Sequence, residues 1–379
     1  MKKKIFIVAA TPMTLQFFMM EQIRRIAEIY NVTILTNWSD KTLRKNFEQD
    51  LHVQTIHIHI SRNINIFYDC LTLMELFFIF TFKRPHLIHS VTPKGGLLAC
   101  IAGWLARCPS RIHTFTGQVW YTSKGIKRQI LRFMDYITGH TATQILIDSD
   151  SQRKFLLQEH VIKNCNSFVL AHGSISGVNL KKFAPCKPDE RSAIRAELNL
   201  AEDDVVAIFL GRKKRDKGIP ELLEAVSSLP SELHIKLLLV GPDEDNLSDL
   251  IYKTSNQTNN KVINIGRVQN PERYLQAGDF FCLPSHREGF GSSIIEAAAI
   301  GLPALASNIY GVQDAVENGV TGILHEVGNV KEISQGLHLL VKDRDLRLKL
   351  GAAAQLRART LFDSDILTRE LIQFYSENI

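Results

Sequence analysis

Two motifs in the second half of the chain carry residues suited to handling a diphosphate. The first, Glu288-Gly289-Phe290-Gly291-Ser292-Ser293-Ile294-Ile295-Glu296, follows an apolar run that ends in Pro284-Ser285. Its glycines stand where a strand would turn into a helix, so backbone N–H groups can approach an anion closely with the helix dipole behind them. The two glutamates are poor phosphate ligands and suit hydroxyl donors instead, of which a ribose and a hexose offer several. Glu288 lies ahead of the helix, and Glu296 about two turns later. The dipole alone favours an acidic residue at a helix start, which accounts for one glutamate but not for the glycines. The second motif is Gly211-Arg212-Lys213-Lys214-Arg215-Asp216-Lys217-Gly218. Arg212 can fork onto phosphate oxygens and Lys217 can supply a point charge. Alone, such a run is more often a solvated loop. Its place after a strand and beside a glycine-rich anion site is what points to chemistry.

The elements that would position these residues are short apolar runs alternating with helical patterns. Ile5–Ala10, Val32–Leu35, Val53–Ile60, Leu87–Ser90, Arg111–Phe115 and Gln144–Ile147 read as strands. Leu15–Ile29 and the segment from Ser151 onward read as helices. Lys181–Arg191, with Pro185 and Pro188, reads as a linker. The pattern then restarts: Val205–Leu210, Ile235–Val240, Val262–Ile265, Phe280–Leu283 and Ala304–Ala306 as strands, with Ile219–Leu229 and Ser292–Ile300 as helices. This predicts an α/β protein of two doubly wound, Rossmann-like domains, 1–185 and 186–360, with residues 361–379 forming a C-terminal helix that packs back on the first. Such a tandem places a cleft at the carboxyl ends of two sheets.

The length, 379 residues, suits two domains. No apolar run is long enough to span a bilayer, and Ile5–Ala10 after three lysines reads as a buried first strand rather than a leader. Six scattered cysteines form no C-x-x-C pair and no zinc spacing, a usage that fits a reducing cytoplasm. Residues 1–185 hold 23 Lys+Arg against 11 Asp+Glu and the remainder 22 against 28, balances of +12 and −6. Such asymmetry suggests that the first half meets an anionic surface or ligand. The basic excess lacks interleaved aromatics and any recognisable module for nucleic acid.

The second half resembles the retaining glycosyltransferases of family 4, which have the GT-B fold. The resemblance rests on the E-x7-E pair Glu288 and Glu296 in EGFGSSIIEAAAIGLP, and on GRKKRDKG with Arg212 and Lys217 in register. GDFFCLPSHREGFG and SNIYGVQDAVENGVTGIL add to it, and together these motifs cover roughly residues 205–325. The resemblance implies that Arg212 and Lys217 bind the donor diphosphate, that Glu288 contacts the transferred sugar and Glu296 the ribose, and that Asn264–Val268, with Gly266, Arg267 and Val268, hold the base. It implies a nucleotide sugar, UDP-linked, as co-substrate, with no metal and no other cofactor. More loosely, HLIHSVTPKGGLLACIAGWLARCPSRIHTFTGQVWY at 86–121 and GSISGVNLKKF at 173–183 resemble bacterial enzymes that extend lipid-linked oligosaccharides of capsule or O-antigen. Two departures stand out. The first loop reads Ala9-Ala10-Thr11-Pro12-Met13-Thr14 where the family carries glycines, and Thr116-Gly117 stands near where some members carry a second histidine after the one matching His113.

His113 is therefore a candidate near the reacting centre, its near-neutral titration being the only intrinsic argument against a structural histidine. Lys94 and Gly95, in Lys94-Gly95-Gly96, could contact an acceptor phosphate or form a simple glycine turn. His286 lines the donor site or points to solvent. Asp148-Ser149-Asp150 matches the D-x-D metal motif of another glycosyltransferase fold, but reads as a helix cap. Ile64–Phe82 reads as a buried helix, with a membrane-facing surface as the other reading. The expected partners are a nucleotide-sugar donor, a polyprenyl-diphosphate-linked saccharide and the inner face of the cytoplasmic membrane, met by Lys124, Lys127, Arg128 and Arg132. The competing readings are a nucleotide-sugar epimerase of similar fold and a non-catalytic sugar-nucleotide-binding subunit.

Overall fold

The computed structural model describes residues 2–61, 64–230, 232–233, 235–257 and 261–379. The chain divides into two compact units, Met1–Ser176 with Asp365–Ile379, and Gly177–Ser364. The first unit runs β1 (Lys4–Val8), α1 (Pro12–Phe18), α2 (Met20–Ile29), β2 (Asn31–Thr36), α3 (Lys41–Leu51), β3 (Gln54–His57), α4 (Ile66–Lys83), β4 (Leu87–Val91), α5 (Pro93–Leu105), β5 (Ser110–Phe115), α6 (Gly125–Thr141), β6 (Gln144–Ile147), α7 (Asp150–Gln158) and β7 (Ser167–Phe168). The second runs α8 (Pro188–Glu197), β8 (Val205–Leu210), α9 (Ile219–Ser227), β9 (Ile235–Val240), α10 (Ser248–Gln257), β10 (Lys261–Ile265), α11 (Pro271–Gln276), β11 (Phe280–Leu283), α12 (Ser292–Ile300), β12 (Ala304–Ser307), α13 (Val312–Ala315), β13 (Gly322–His325), α14 (Val330–Lys342) and α15 (Arg344–Leu361). The last helix, α16 (Ser364–Glu377), lies almost wholly in the first unit.

Each unit is a wholly parallel sheet, in the order β3-β2-β1-β4-β5-β6-β7 and β10-β9-β8-β11-β12-β13. Helices cover such strands on both faces, which is why β8 reads as an unbroken apolar run rather than an alternating one. In each sheet the first strand is flanked on both sides, β1 by β2 and β4, β8 by β9 and β11. The strand order reverses there, and the loops leaving the carboxyl ends part to open a crevice.

Four details differ from the sequence reading. The chain passes between units at Ser176/Gly177 rather than at 185/186, and the return falls at Ser364/Asp365 rather than at 360/361. The two passages are tied by main-chain bonds within the second unit, Val178 N–H to Phe362 O at 2.7 Å and Ser364 N–H to Val178 O at 3.0 Å. Lys181–Arg191 is not a linker throughout. Pro188 begins α8, where its missing N–H costs nothing, and the Glu190 carboxylate accepts from Lys187 N–H at 3.1 Å. The helix read at Leu15–Ile29 is broken at Met19 into α1 and α2.

α16 belongs to the core of the first unit. Leu371, Phe374 and Tyr375 pack with Ile5, Ile7 and Ile34, and the Tyr375 hydroxyl is hydrogen-bonded to His89 Nδ1. His89 Nε2 pairs in turn with Thr114 Oγ1 at 2.7 Å, and burial pushes the imidazole down to about 3, so it stays neutral. Each of the three α16 side chains carries about 1.5–3 kcal/mol of burial, a large part of the roughly 5–15 kcal/mol that holds a domain folded. Removing residues 365–379 is expected to unfold the first unit while leaving the second intact. Calorimetry should then show the full chain's transitions reduced to that of the second unit.

Candidate functional site

The crevice of the second unit lies between the loops that leave β8 and β11, and both charged motifs occupy it. Gly218 closes the first loop in the left-handed conformation, φ 71°, and a Cβ there would stand 2.0 Å from the Pro284 carbonyl. Only glycine permits that approach, and it brings the end of one motif against the start of the other. In consequence the Lys217 ammonium meets the Glu288 carboxylate at 2.6 Å, and the Ser285 hydroxyl donates to the same oxygen at 2.8 Å. Around this pair His286 N–H donates to the Asp216 carbonyl at 2.9 Å, and Arg287 holds the Asp216 carboxylate at 3.0 Å. The His286 ring contacts Glu221 at 2.8 Å, so it is anchored rather than free in solvent. Arg212 is half-exposed and rests on Glu244 at 3.0 Å.

Gly291 caps α12 with φ 85° and brings no side-chain cap, so the first amides, at Ser292 and Ser293, have no intrahelical acceptor. These are the amides that the sequence reading assigns to an anion. Gly289 and Phe290 lead into it, and Phe290 is buried against Phe362 with ring centroids 5.2 Å apart. Glu296, a turn further on, is partly buried. Among the described residues nothing hydrogen-bonds to its carboxylate, and burial pushes that group up to about 7. Gly266 and Arg267 are exposed, and Val268 partly so, just beyond β10. The sequence reading missed Lys213, the neighbour of Arg212. It is 2% exposed, and its ammonium donates to Asn264 Oδ1 at 2.5 Å and Ile265 O at 2.9 Å. Only the fold shows that β8 and β10 bring these residues together, so no signal in the sequence could have found the contact.

The other predicted residues lie in the first unit, around the start of α5. Lys94 is nearly buried and its ammonium pairs with Asp69 of α4 at 2.5 Å. Gly95 packs on the first loop, where a Cβ would stand 3.1 Å from Ala10 N, and Ala10 N–H donates to Thr92 Oγ1 at 3.1 Å. The loop that carries alanines where the family has glycines therefore spends an amide internally. His113 is 1% exposed and lies under Gly96, where a Cβ would fall 2.1 Å from its ring. Its Nδ1 pairs with Ser90 Oγ at 3.0 Å, and burial first, then His89, pushes its pKa down to about 3. Its titration near neutrality, the argument for a catalytic part, is thereby corrected: the imidazole is held neutral and props the start of α5. Ser149 caps α7 by accepting from Gln152 N–H at 3.2 Å. Among the described residues no cluster of three or more His, Cys, Asp or Glu could hold a metal ion.

Comparison with known proteins places this site in a family. The family model described as glycosyl transferases group 1 matches residues 190–357, the span that holds both motifs. CapM of Staphylococcus aureus, a capsular polysaccharide biosynthesis glycosyltransferase, is 32% identical over 344 residues, 89% of this chain and 88% of CapM. The chain belongs to the glycosyl transferases group 1. A Campylobacter jejuni N,N'-diacetylbacillosaminyl-diphospho-undecaprenol alpha-1,3-N-acetylgalactosaminyltransferase is 26% identical over 343 residues, 87% of this chain and 88% of that enzyme. The crystal structure of Anabaena HepE in complex with UDP-glucose shares the fold, with a TM-score of 0.82 at 18% identity over the whole of both chains. The protein is thus a glycosyltransferase of two Rossmann-like domains, the GT-B architecture.

The surface of the glycosyltransferase corrects two further expectations. α4 is not a buried helix: Thr72, Leu76 and Phe80 face the core, while Ile66, Phe67, Met74 and Phe82 are exposed, Phe82 at 80%. Nor is the run Lys124–Arg132 free throughout. Arg128 and Arg132 both pair with Glu159, at 2.7 and 2.9 Å, leaving Lys124 and Lys127 exposed beside Ile126 and Phe133.

Gly218→Ala should part the two motifs. The left-handed conformation alone costs a side chain about 1–2 kcal/mol, and the Pro284 carbonyl must also move. Nucleotide binding by calorimetry should fall at least tenfold while circular dichroism stays native-like. A variant that binds like wild type would show that the close approach is not what builds the site.

Proposed function

We propose that this glycosyltransferase moves a hexose or N-acetylhexosamine, with retention, from a UDP-linked sugar to a polyprenyl-diphosphate-linked saccharide in bacterial surface-polysaccharide synthesis. The observation that carries the donor half is the Lys217–Glu288 contact at the start of α12. It sets a cation for the leaving diphosphate beside a carboxylate suited to a sugar hydroxyl. Support for the acceptor comes from relatives. The Campylobacter jejuni enzyme and an Escherichia coli UDP-Gal:alpha-D-GlcNAc-diphosphoundecaprenol alpha-1,3-galactosyltransferase, 25% identical over 321 residues, both act on diphosphoundecaprenol-linked sugars by name.

In this reading the bond from the anomeric carbon to the diphosphate breaks while the acceptor oxygen bonds that carbon on the same face. The acceptor's proton passes to the departing phosphate oxygen. Negative charge grows on the diphosphate, where Arg212, Lys217 and the amides of Ser292 and Ser293 meet it; fixed dipoles and charges need no reorganisation as it grows. Glu288 orients the sugar and Glu296 the ribose, while Gly266, Arg267 and Val268 hold the base. Lys94 and the α5 start at Gly95 receive the acceptor phosphates, Lys94 exchanging Asp69 for them. His113 acts through α5 as a positioning residue.

Incubation with radiolabelled UDP-sugars, with and without a polyprenyl-diphosphate saccharide, tests this. Label should enter the lipid phase only with acceptor. An epimerised free sugar without acceptor would instead identify an epimerase, and binding without turnover a non-catalytic subunit.

The state of Glu296 adds a pH dependence. Only the ionised carboxylate can accept from both ribose hydroxyls, and its folded pKa is raised to about 7. UDP affinity should therefore fall as pH drops through about 7. In Glu296→Gln that step should vanish and affinity at pH 8 should fall by about tenfold or more. Parallel pH profiles for the two proteins would remove Glu296 from the ribose.

We infer further that the first unit attaches the enzyme to the inner face of the cytoplasmic membrane without spanning it. Among the described residues no helix is long and apolar enough to cross a bilayer. The exposed Phe67 and Phe82 on α4, and Ile126 with Lys124 and Lys127 at the start of α6, supply apolar and cationic groups for an anionic lipid surface. Lys124→Glu/Lys127→Glu should lose binding to anionic vesicles, each lysine being worth about 1 kcal/mol there. Phe67→Ser/Phe82→Ser should remove the part that resists high salt. Equal sedimentation of all three proteins at every salt concentration would leave these residues as ordinary surface.

A further inference from the structure

Lys213 ties together the loops that leave three adjacent strands. Its own N–H donates to Pro242 O at 2.8 Å beyond β9, and its carbonyl accepts from Glu244 N–H at 3.1 Å. Its ammonium reaches across to β10, to the Asn264 side chain and the Ile265 carbonyl. Gly241 N–H closes the arrangement on Ile265 O and Gly266 O, both at 3.1 Å. A lysine buried to this degree is costly unless its donors are used, and here two of its three N–H groups end on one short segment of β10.

That segment leads into the loop assigned above to the base, and the bond to Asn264 fixes more than position. An ammonium has donors only, so the atom it meets must be the amide oxygen. The Asn264 NH2 is thereby turned the other way, and Asn264 is exposed near the end of β10, the edge strand of the sheet. It offers two donors and no free acceptor on that side. Such a group matches a base that carries an exocyclic carbonyl, as O4 of uracil, and opposes one that carries an amino group there, as N4 of cytosine.

We propose that Lys213 locks Asn264 as a hydrogen-bond donor toward the nucleobase, so that the enzyme selects uridine over cytidine nucleotides. Asn264 is then a specificity-determining residue and Lys213 a positioning residue that acts through it. The inference rests on the donor reading of this site. Uracil and cytosine differ at position 4, and N3 carries a proton only in uracil, so the comparison of the two nucleotides is read together with the Asn264 variants.

Calorimetry with UDP and CDP on the full chain tests it. Wild type should bind UDP at least tenfold tighter than CDP. Asn264→Ala should lose most of that ratio, and Asn264→Asp, which presents an acceptor, should favour CDP. Lys213→Met replaces the buried stem with an apolar one of similar length. It should fold, keep diphosphate binding and lose part of the UDP preference, because the amide is then free to rotate. A UDP to CDP ratio near one in wild type, or a ratio unchanged in all three variants, overturns the inference while leaving the donor reading standing. Failure of wild type to bind either nucleotide removes the donor reading, and this inference with it.

Discussion

The contact between Lys217 and Glu288 depends on a steric fact two atoms wide. At Gly218 the chain passes so near the Pro284 carbonyl that no Cβ fits. The parallel sheet sets the frame for this. β8 and β11 are neighbours at the point where the strand order reverses, so the loops leaving them diverge and must be brought back across the crevice. Gly218 does so at the mouth, and Gly291 then turns the chain into α12 with its first amides uncapped. The two loops and the helix start are thereby placed by backbone geometry, and the Lys217 side chain spans the remaining gap to the carboxylate. Positions fixed that way lose little freedom when a ligand arrives.

Much of this was legible in the sequence, because the signals were local. Strands β8, β9 and β11 and helix α12 fall where the apolar runs and glycine punctuation place them. The glycines of 288–291 and 218 mark turns whose purpose is close approach. The contacts that give the site its electrostatics were not legible. Lys213 looks like any residue of a basic run, and only the sheet order puts it against Asn264. Arg128 and Arg132 read as free charge until α6 is packed beside the end of α7, where Glu159 takes both. A run of like charge along a sequence therefore overstates the field at the surface. The second half of that field lies in partners that the chain brings back from a distance.

Burial accounts for the largest change of role. Apart from the family resemblance, the argument for His113 is that an imidazole titrates near neutrality, but desolvation under the first turn of α5 removes that property. Glu296 moves the other way, since the same desolvation gives a carboxyl the near-neutral titration that the histidine lacks. Sequence shows which groups can titrate. The dielectric around each one decides which do so in the working range, and that depends on helices packed above it.

The arrangement of charge in the donor unit also bears on how binding and orientation are coupled. The loop from Arg212 to Lys217 is strongly basic, yet three of its five cations already have a carboxylate: Glu244 for Arg212, Glu244 and Asp245 for Lys214, Glu288 for Lys217. A diphosphate that engages Arg212 and Lys217 in the proposed site exchanges with these acids. For Arg212 the displaced partner, Glu244, is itself partly exposed and can be resolvated at small cost. For Lys217 the displaced partner is Glu288, which is partly buried and retains only the Ser285 hydroxyl among the contacts described above. A buried carboxylate left without its cation is costly unless it gains another donor. In the proposed complex that donor is a hydroxyl of the transferred sugar. A diphosphate without a sugar releases Lys217 at the expense of Glu288, whereas a nucleotide sugar satisfies both. The pair thus makes recognition of the sugar a condition for full engagement of the leaving group.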